Sequence, residues 1–238
     1  MSTSLDSLPI IDLSLLAGDG ADVAAFDEAL LRATHEVGFF YLVGHGIPED
    51  LVEHLFAEAE RFFALPEADK LDVEMTRSPH FRGYTRTGGE LTEGRVDWRE
   101  QIDVGAERDL VTGGAAYNRL EGPNLWPDAL PSLRPTLTDW SQRCSIIGMT
   151  LLRAWARALG AAEDRFDDAF DRPSTLIKLV RYPGRAGDKR QGVGAHKDPG
   201  VLTLLMIEPE KAGLQVEHGT DWIDAPPVPG AFVVNIGE

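Results

Sequence analysis

The sequence predicts an α+β protein in which a helix-rich N-terminal half leads into an antiparallel, β-rich C-terminal half. Two observations carry this. Apolar residues recur at helical spacing in three separate stretches before residue 172, and short strand-like runs, broken by glycine- and proline-containing turns, follow Asp171-Arg172-Pro173. The 238 residues suffice for one large domain or two small ones with a substantial core.

In chain order, Leu8-Pro9-Ile10-Ile11-Asp12-Leu13 reads as a short opening strand. Residues 22–37 carry Val23, Phe26, Leu30 and Val37 at helical spacing, and Gly38 follows where a helix commonly stops. Phe39 to Val43 is a compact aromatic strand ending in Gly44-His45-Gly46. Pro48 sits where a first helical turn tolerates proline, and Leu51, Leu55, Ala59 and Phe62 mark a buried stripe up to Pro66. From 77 to 119 no period holds. The stretch Phe81-Arg82-Gly83-Tyr84-Thr85-Arg86-Thr87-Gly88-Gly89-Glu90 predicts a long loop, functional or mobile, whose arginines could orient an anionic substrate, although solvent-facing loop charges are commoner. After a proline-punctuated connection, Leu137, Trp140, Cys144, Ile147, Leu151 and Trp155 line one face of a long amphipathic helix with Gly160 behind it. Strands are expected at 175–182, 193–197, 201–207, 214–218, 222–224 and 231–236, which together suggest a sandwich or barrel.

Composition excludes several functions. Lys plus Arg number 23 against 39 Asp plus Glu, a formal charge of −16 that repels phosphate backbones and anionic membranes. Nucleic acid and membrane are therefore not expected partners, and no apolar run approaches a membrane span. Cys144 is the single cysteine, so no internal disulfide can form; set near Trp140, Ile146 and Ile147, it reads as helix core. With no secretion signal over residues 1–11, the expected location is cytoplasmic.

The chemistry concentrates in Gly192-Val193-Gly194-Ala195-His196-Lys197-Asp198-Pro199-Gly200, ahead of the apolar run Val201 to Ile207, which reads as a fully buried strand. In an extended backbone residues i and i+2 project to one side, so His196 and Asp198 could offer one nitrogen and one oxygen to a single metal ion. Such an N,O pair suits a first-row divalent metal, and two histidines with one carboxylate favour Fe(II) and oxygen chemistry. The tripeptide alone is weak evidence. His45 could also ligate, although a histidine between glycines more often ends a strand. His35 and His54 look structural or exposed, and His218 reads as a turn residue.

Taken together, these segments resemble the 2-oxoglutarate/Fe(II)-dependent oxygenases of the isopenicillin N synthase-like family. Residues 8–12 and 38–48 look like that family's N-terminal region. Arg181-Tyr182-Pro183, residues 194–198, Gly213-Leu214-Gln215-Val216, Trp222-Ile223 and residues 229–237 look like its catalytic domain. The resemblance implies a distorted jelly-roll, or double-stranded β-helix, with packed N-terminal helices. It divides the chain into an N-terminal region (1–120), a connecting long helix (121–172) and a partial jelly-roll (173–238). It places His196 and Asp198 as iron ligands and Tyr182 as a hydrogen-bond donor to 2-oxoglutarate, with Fe(II), 2-oxoglutarate and O2 as cofactor and cosubstrates. The implied reaction is 2-oxoglutarate decarboxylation coupled to hydroxylation, desaturation or cyclisation of a small organic molecule.

The sequence also departs from the family. A second histidine and an Arg-x-Ser anchor are expected well beyond the aspartate, yet Glu238 lies 40 residues after Asp198 and only His218 intervenes. The closing strands would then be missing, and the strand after Ala231 would stand unpaired, open to self-association. The competing expectation is a truncated, catalytically inactive jelly-roll that binds a small molecule or partner. A zinc hydrolase is weaker still, because no further ligand stands at matched spacing.

Overall fold

The computed structural model describes residues 7–111, 113–184 and 191–237. The chain forms two compact units that interleave in sequence: Met1–Glu49, Cys144–Asp171 and Lys197–Glu238 make the first, and Asp50–Arg143 and Arg172–His196 the second. Eleven strands are described: β1 (Ile10–Asp12), β2 (Phe39–Val43), β3 (Gly83–Thr85), β4 (Leu91–Thr92), β5 (Arg95–Val96), β6 (Glu100–Gly105), β7 (Leu176–Arg181), β8 (Leu202–Met206), β9 (Gln215–His218), β10 (Asp221–Asp224) and β11 (Phe232–Ile236). The α-helices are α1 (Gly20–Glu36), α2 (Glu49–Ala64), α3 (Glu67–Leu71) and α4 (Leu133–Ala158). None of the described helices is long and apolar enough to cross a membrane.

The first unit is organised by a four-stranded sheet in the order β1-β2-β11-β8. β1 runs parallel to β2, while β11 is antiparallel to both β2 and β8. Pleating sorts the apolar residues onto two faces. On one, Tyr41 and Val233 pack with Val216 and Ile223 of the β9-β10 hairpin, and the Tyr41 hydroxyl donates to the Pro226 carbonyl at 2.6 Å. On the other, the register pairs Phe232 with Leu42 and Val234 with Phe40, all four fully buried. α1 packs against β1 and β2. It begins on a capping box in which Asp19 accepts from the Ala21 and Asp22 amides. It ends where the Gly38 amide, at φ +77°, reaches back to the Ala33 carbonyl. The C-terminal part of α4 is tied to α1 by Arg157, which grips Asp27 at 2.9 and 3.0 Å, and by Trp155 donating to Thr34 at 3.0 Å.

The second unit is built on a three-stranded antiparallel sheet, β3-β6-β7. β6 is its central strand, and residues 100–104 are all buried. Three of them are polar, and each makes side-chain hydrogen bonds. Glu100 accepts from Lys70 at 2.9 Å, Tyr84 at 2.7 Å and Arg181 at 3.1 Å. Gln101 donates to Glu90 at 3.1 Å and Asp103 at 3.0 Å. Asp103 also takes Lys178 at 3.2 Å, and burial pushes its carboxyl above the usual range. β4 and β5 form a hairpin whose turn residues Glu93 and Gly94 both have positive φ, as a two-residue primed turn requires.

Four expectations fail. Residues 77–119 are not a patternless loop: they hold β3 to β6, hidden because a strand reading Glu-Gln-Ile-Asp-Val-Gly does not look buried. Residues 193–197 form no strand. Residues 202–206 are only half-buried, with Leu205 exposed, because β8 is the sheet's edge. The strand after Ala231 is neither unpaired nor exposed, since β11 lies between β2 and β8; among the described residues the edges of this sheet are β1 and β8. Around Cys144 the expectation holds in part. Burial pushes the thiol up to about 12, yet Ile146 faces solvent.

Candidate metal and cosubstrate site

Asp198 stands at the start of a tight loop leading into β8. Its Oδ2 accepts two hydrogen bonds, from Thr203 Oγ1 at 2.8 Å and Asn235 Nδ2 at 3.0 Å. Thr203 and Asn235 are direct register partners on β8 and β11, so their side chains lie on one face and converge on a single oxygen. Asn235 is itself buried. The loop is pressed against the end of β11: the Gly237 amide donates to the Val201 carbonyl, and a Cβ on Gly237 would lie 2.1 Å from the Gly200 carbonyl oxygen and 2.8 Å from that of Asp198. Only glycine fits there, and the carboxylate is thereby oriented by the sheet rather than by its own loop.

His196 is set differently. Its Nδ1 lies 2.9 Å from the Gly194 carbonyl oxygen. A carbonyl accepts only from N–H, so in the neutral ring Nδ1 holds the proton and Nε2 the lone pair, which is how metal-binding histidines are usually oriented. Gly194 packs on Thr92, where a Cβ would come within 3.1 Å of the threonine methyl. An imidazole with this tautomer and a carboxylate held by two donors fit the N,O requirement of a first-row divalent ion.

Tyr182 follows β7 and is half exposed. Arg99, its neighbour, is held by Glu90 at 2.8 Å and Asp97 at 3.2 Å. The ring lies over Gly192, where a Cβ would sit 2.3 Å from Tyr182 Cδ1. Trp98 closes this arrangement, its amide donating to the Gly192 carbonyl at 2.7 Å and its indole N–H to Pro183 at 2.9 Å.

Three other histidines are engaged elsewhere. His45 Nδ1 accepts from the Ile47 amide at 3.2 Å, so Nε2 carries the proton it offers to the Gly230 carbonyl at 2.8 Å. His218 closes β9 and meets the Glu36 carbonyl at 3.0 Å, where it caps the C-terminus of α1. His54 bonds Thr136 at 3.1 Å. Among the described residues no group of three or more His, Cys, Asp or Glu side chains could hold a metal ion. Arg82, expected to orient an anion or face solvent, does neither: it is buried and donates to the carbonyls of His80, Phe81 and Leu120. Sequence reasoning missed Thr203, Asn235 and Arg99. The signal for Asn235 was available, as the single polar residue interrupting Phe232-Val233-Val234-Asn235-Ile236.

Comparison with known proteins identifies the family. Residues 8–129 match the family described as non-haem dioxygenase in morphine synthesis N-terminal, and residues 174–238 match the 2OG-Fe(II) oxygenase superfamily. A 2-oxoglutarate-dependent dioxygenase of Dothideomycetidae sp. is 38% identical over 99% of this chain and 65% of its own length. A homoarginine-6-hydroxylase of Arabidopsis thaliana is 36% identical over 100% of this chain and 76% of its own length. The crystal structure of a full-length Neurospora crassa protein in complex with alpha-KG superposes with a TM-score of 0.86 at 29% identity, covering 100% of this chain and 75% of that one. The chain thus spans about two thirds to three quarters of these relatives, and its fold is the jelly-roll-cored fold they share. By sequence and by fold, the chain belongs to the 2-oxoglutarate/Fe(II)-dependent oxygenases of the isopenicillin N synthase-like class.

Proposed function

We propose that this protein couples 2-oxoglutarate decarboxylation to oxidation of a small organic molecule, by hydroxylation, desaturation or cyclisation, with His196 and Asp198 holding Fe(II). The observation that carries the reading is the double hydrogen bond to Asp198 Oδ2 from Thr203 and Asn235. That clamp fixes the orientation of the carboxylate, as metal-ligating carboxylates are held by hydrogen bonds of their own. Bound Fe(II) supplies coordination positions at which 2-oxoglutarate and oxygen react, giving succinate and carbon dioxide. The chain's own residues bind and orient: His196 through the tautomer set by Gly194, Asp198 through its clamp, and Tyr182 through a hydroxyl directed at a 2-oxoglutarate carboxylate.

Anaerobic calorimetric titration of Fe(II) tests the metal pair. His196→Ala and Asp198→Ala should each abolish specific binding, because each removes one of the two donors; unchanged affinity in both variants overturns the assignment. Tyr182→Phe should leave iron binding intact and weaken 2-oxoglutarate by about 1.5–3 kcal/mol, the worth of a hydrogen bond to a charged acceptor. Equal 2-oxoglutarate affinity would return Tyr182 to a packing role. Metal and 2-oxoglutarate binding without succinate formation would favour the non-catalytic binding protein instead.

A further inference from the structure

Within the second unit, a cavity of about 340 Å³ is lined by Glu90, Asp103, Lys178, Arg82 and a rim that includes Phe81 and Leu120. Two features, one directly behind its acidic wall and one at its rim, are costly to a folded chain. Gln101, in the middle of β6 and 1% exposed, spends its amide nitrogen on Glu90 and Asp103 together, and its Oε1 is buried with no hydrogen-bond partner among the described residues. A central strand built for stability avoids both a stranded acceptor and two carboxylates held side by side. At the rim, Phe81 has φ +56° and a ring 65% exposed. An aromatic residue in the left-handed region is uncommon, and such strain gathers where a chain binds something.

The charges say what that would be. Glu90 is matched by Arg99 at 2.8 Å. Arg82 is buried and committed to three backbone carbonyls. Asp103 depends on Lys178, whose ammonium makes a single contact with it at 3.2 Å and whose side chain is 40% exposed. Among the described residues, Lys178 is therefore the one wall cation able to leave without unfolding anything, and its departure turns a neutral wall into one with a net negative charge. We propose that this cavity binds the substrate through an organic cation, a guanidinium or ammonium group on an apolar stem, which replaces the Lys178 ammonium on Asp103, beside Glu90. A guanidinium matches paired carboxylates with parallel N–H donors, and the stem lies under Phe81 and Leu120. The inference rests on the oxygenase reading only in taking the bound cation as the molecule to be oxidised.

The test is binding of n-butylguanidinium and n-butylurea, equal in shape and different in charge, to the 238-residue chain by NMR titration. The guanidinium should bind at least about tenfold more tightly than the urea. Asp103→Asn and Glu90→Gln, which keep shape and remove charge, should each cost about tenfold for the guanidinium and leave the urea unchanged. Lys178→Met should strengthen guanidinium binding several-fold, because it removes the competing cation; a merely structural Lys178–Asp103 pair predicts the opposite. Equal affinity for the two probes, no measurable binding of either, or weaker guanidinium binding by Lys178→Met overturns the proposal. Fe(II) titration of the same samples separates the two readings: loss of iron binding with charge selection intact counts against the oxygenase site alone.

Discussion

The two units bury strands by opposite means. β2 and β11 in the first unit are Phe-Phe-Tyr-Leu-Val and Phe-Val-Val-Asn-Ile, buried because their side chains are apolar on both faces. β6 in the second is Glu-Gln-Ile-Asp-Val-Gly, equally central to its sheet and equally buried, because each polar side chain meets a partner. Hydrophobic transfer works for any close-packed neighbour, whereas polar burial works only for the specific partners present. One unit therefore advertises its core in sequence and the other conceals it.

That contrast breaks most sharply at Phe232, fully buried at the centre of the apolar sheet. Phe232→Ala should cost about 3–5 kcal/mol, measured by chemical denaturation, through lost transfer energy and a cavity. A loss under about 1 kcal/mol would show that this face of β11 is not core.

In the polar sheet the matching change is Lys70→Met. Lys70 is nearly buried and bonds Glu100 and the Phe63 carbonyl. Breaking one partner of a buried pair costs about 3 kcal/mol or more, at the low end here because Arg181 and Tyr84 still hold Glu100. Lys70→Met with Glu100→Leu should recover part of that loss, since the orphaned charge is gone. If the double variant is no more stable than the single, the pair is not what makes β6 tolerable inside.

The smallest effect belongs to His45 beside the apolar sheet, its ring 4.8 Å from that of Phe232. Burial pulls the imidazole below its ordinary value, against the opposing pull of the Gly230 carbonyl. The folded protein thus keeps His45 neutral where the unfolded chain would protonate it. The stability this contributes is present above the unfolded value of about 6.5 and is lost as pH falls from there through the lower folded value. His45→Gln should flatten that acid limb in thermal unfolding; an unchanged limb would assign it to other groups.

How much was legible follows the same division. α1, α2, α4, β2, β9 and β11 were plain because apolar periodicity sets them, and Gly38 marked its helix end because the backbone there needs positive φ. β6 was hidden because no local rule makes Glu100 or Asp103 look buried; their partners Lys70 and Lys178 lie far off in sequence. At the site, the His-x-Asp spacing named His196 and Asp198, but it suggested a strand where there is an irregular segment. What orients the aspartate is a cross-strand pair, Thr203 and Asn235, and register cannot be read from composition.

The placing of β11 between β2 and β8 also has a cost in time. During synthesis β2 emerges early, and its antiparallel neighbour follows only after roughly 190 further residues. At about 5–20 residues per second the ribosome takes on the order of 10 to 40 seconds to supply it. Throughout that interval Phe39-Phe40-Tyr41-Leu42-Val43 has one edge without its final partner, and an apolar strand edge of that kind is open to wrong pairing until β11 arrives.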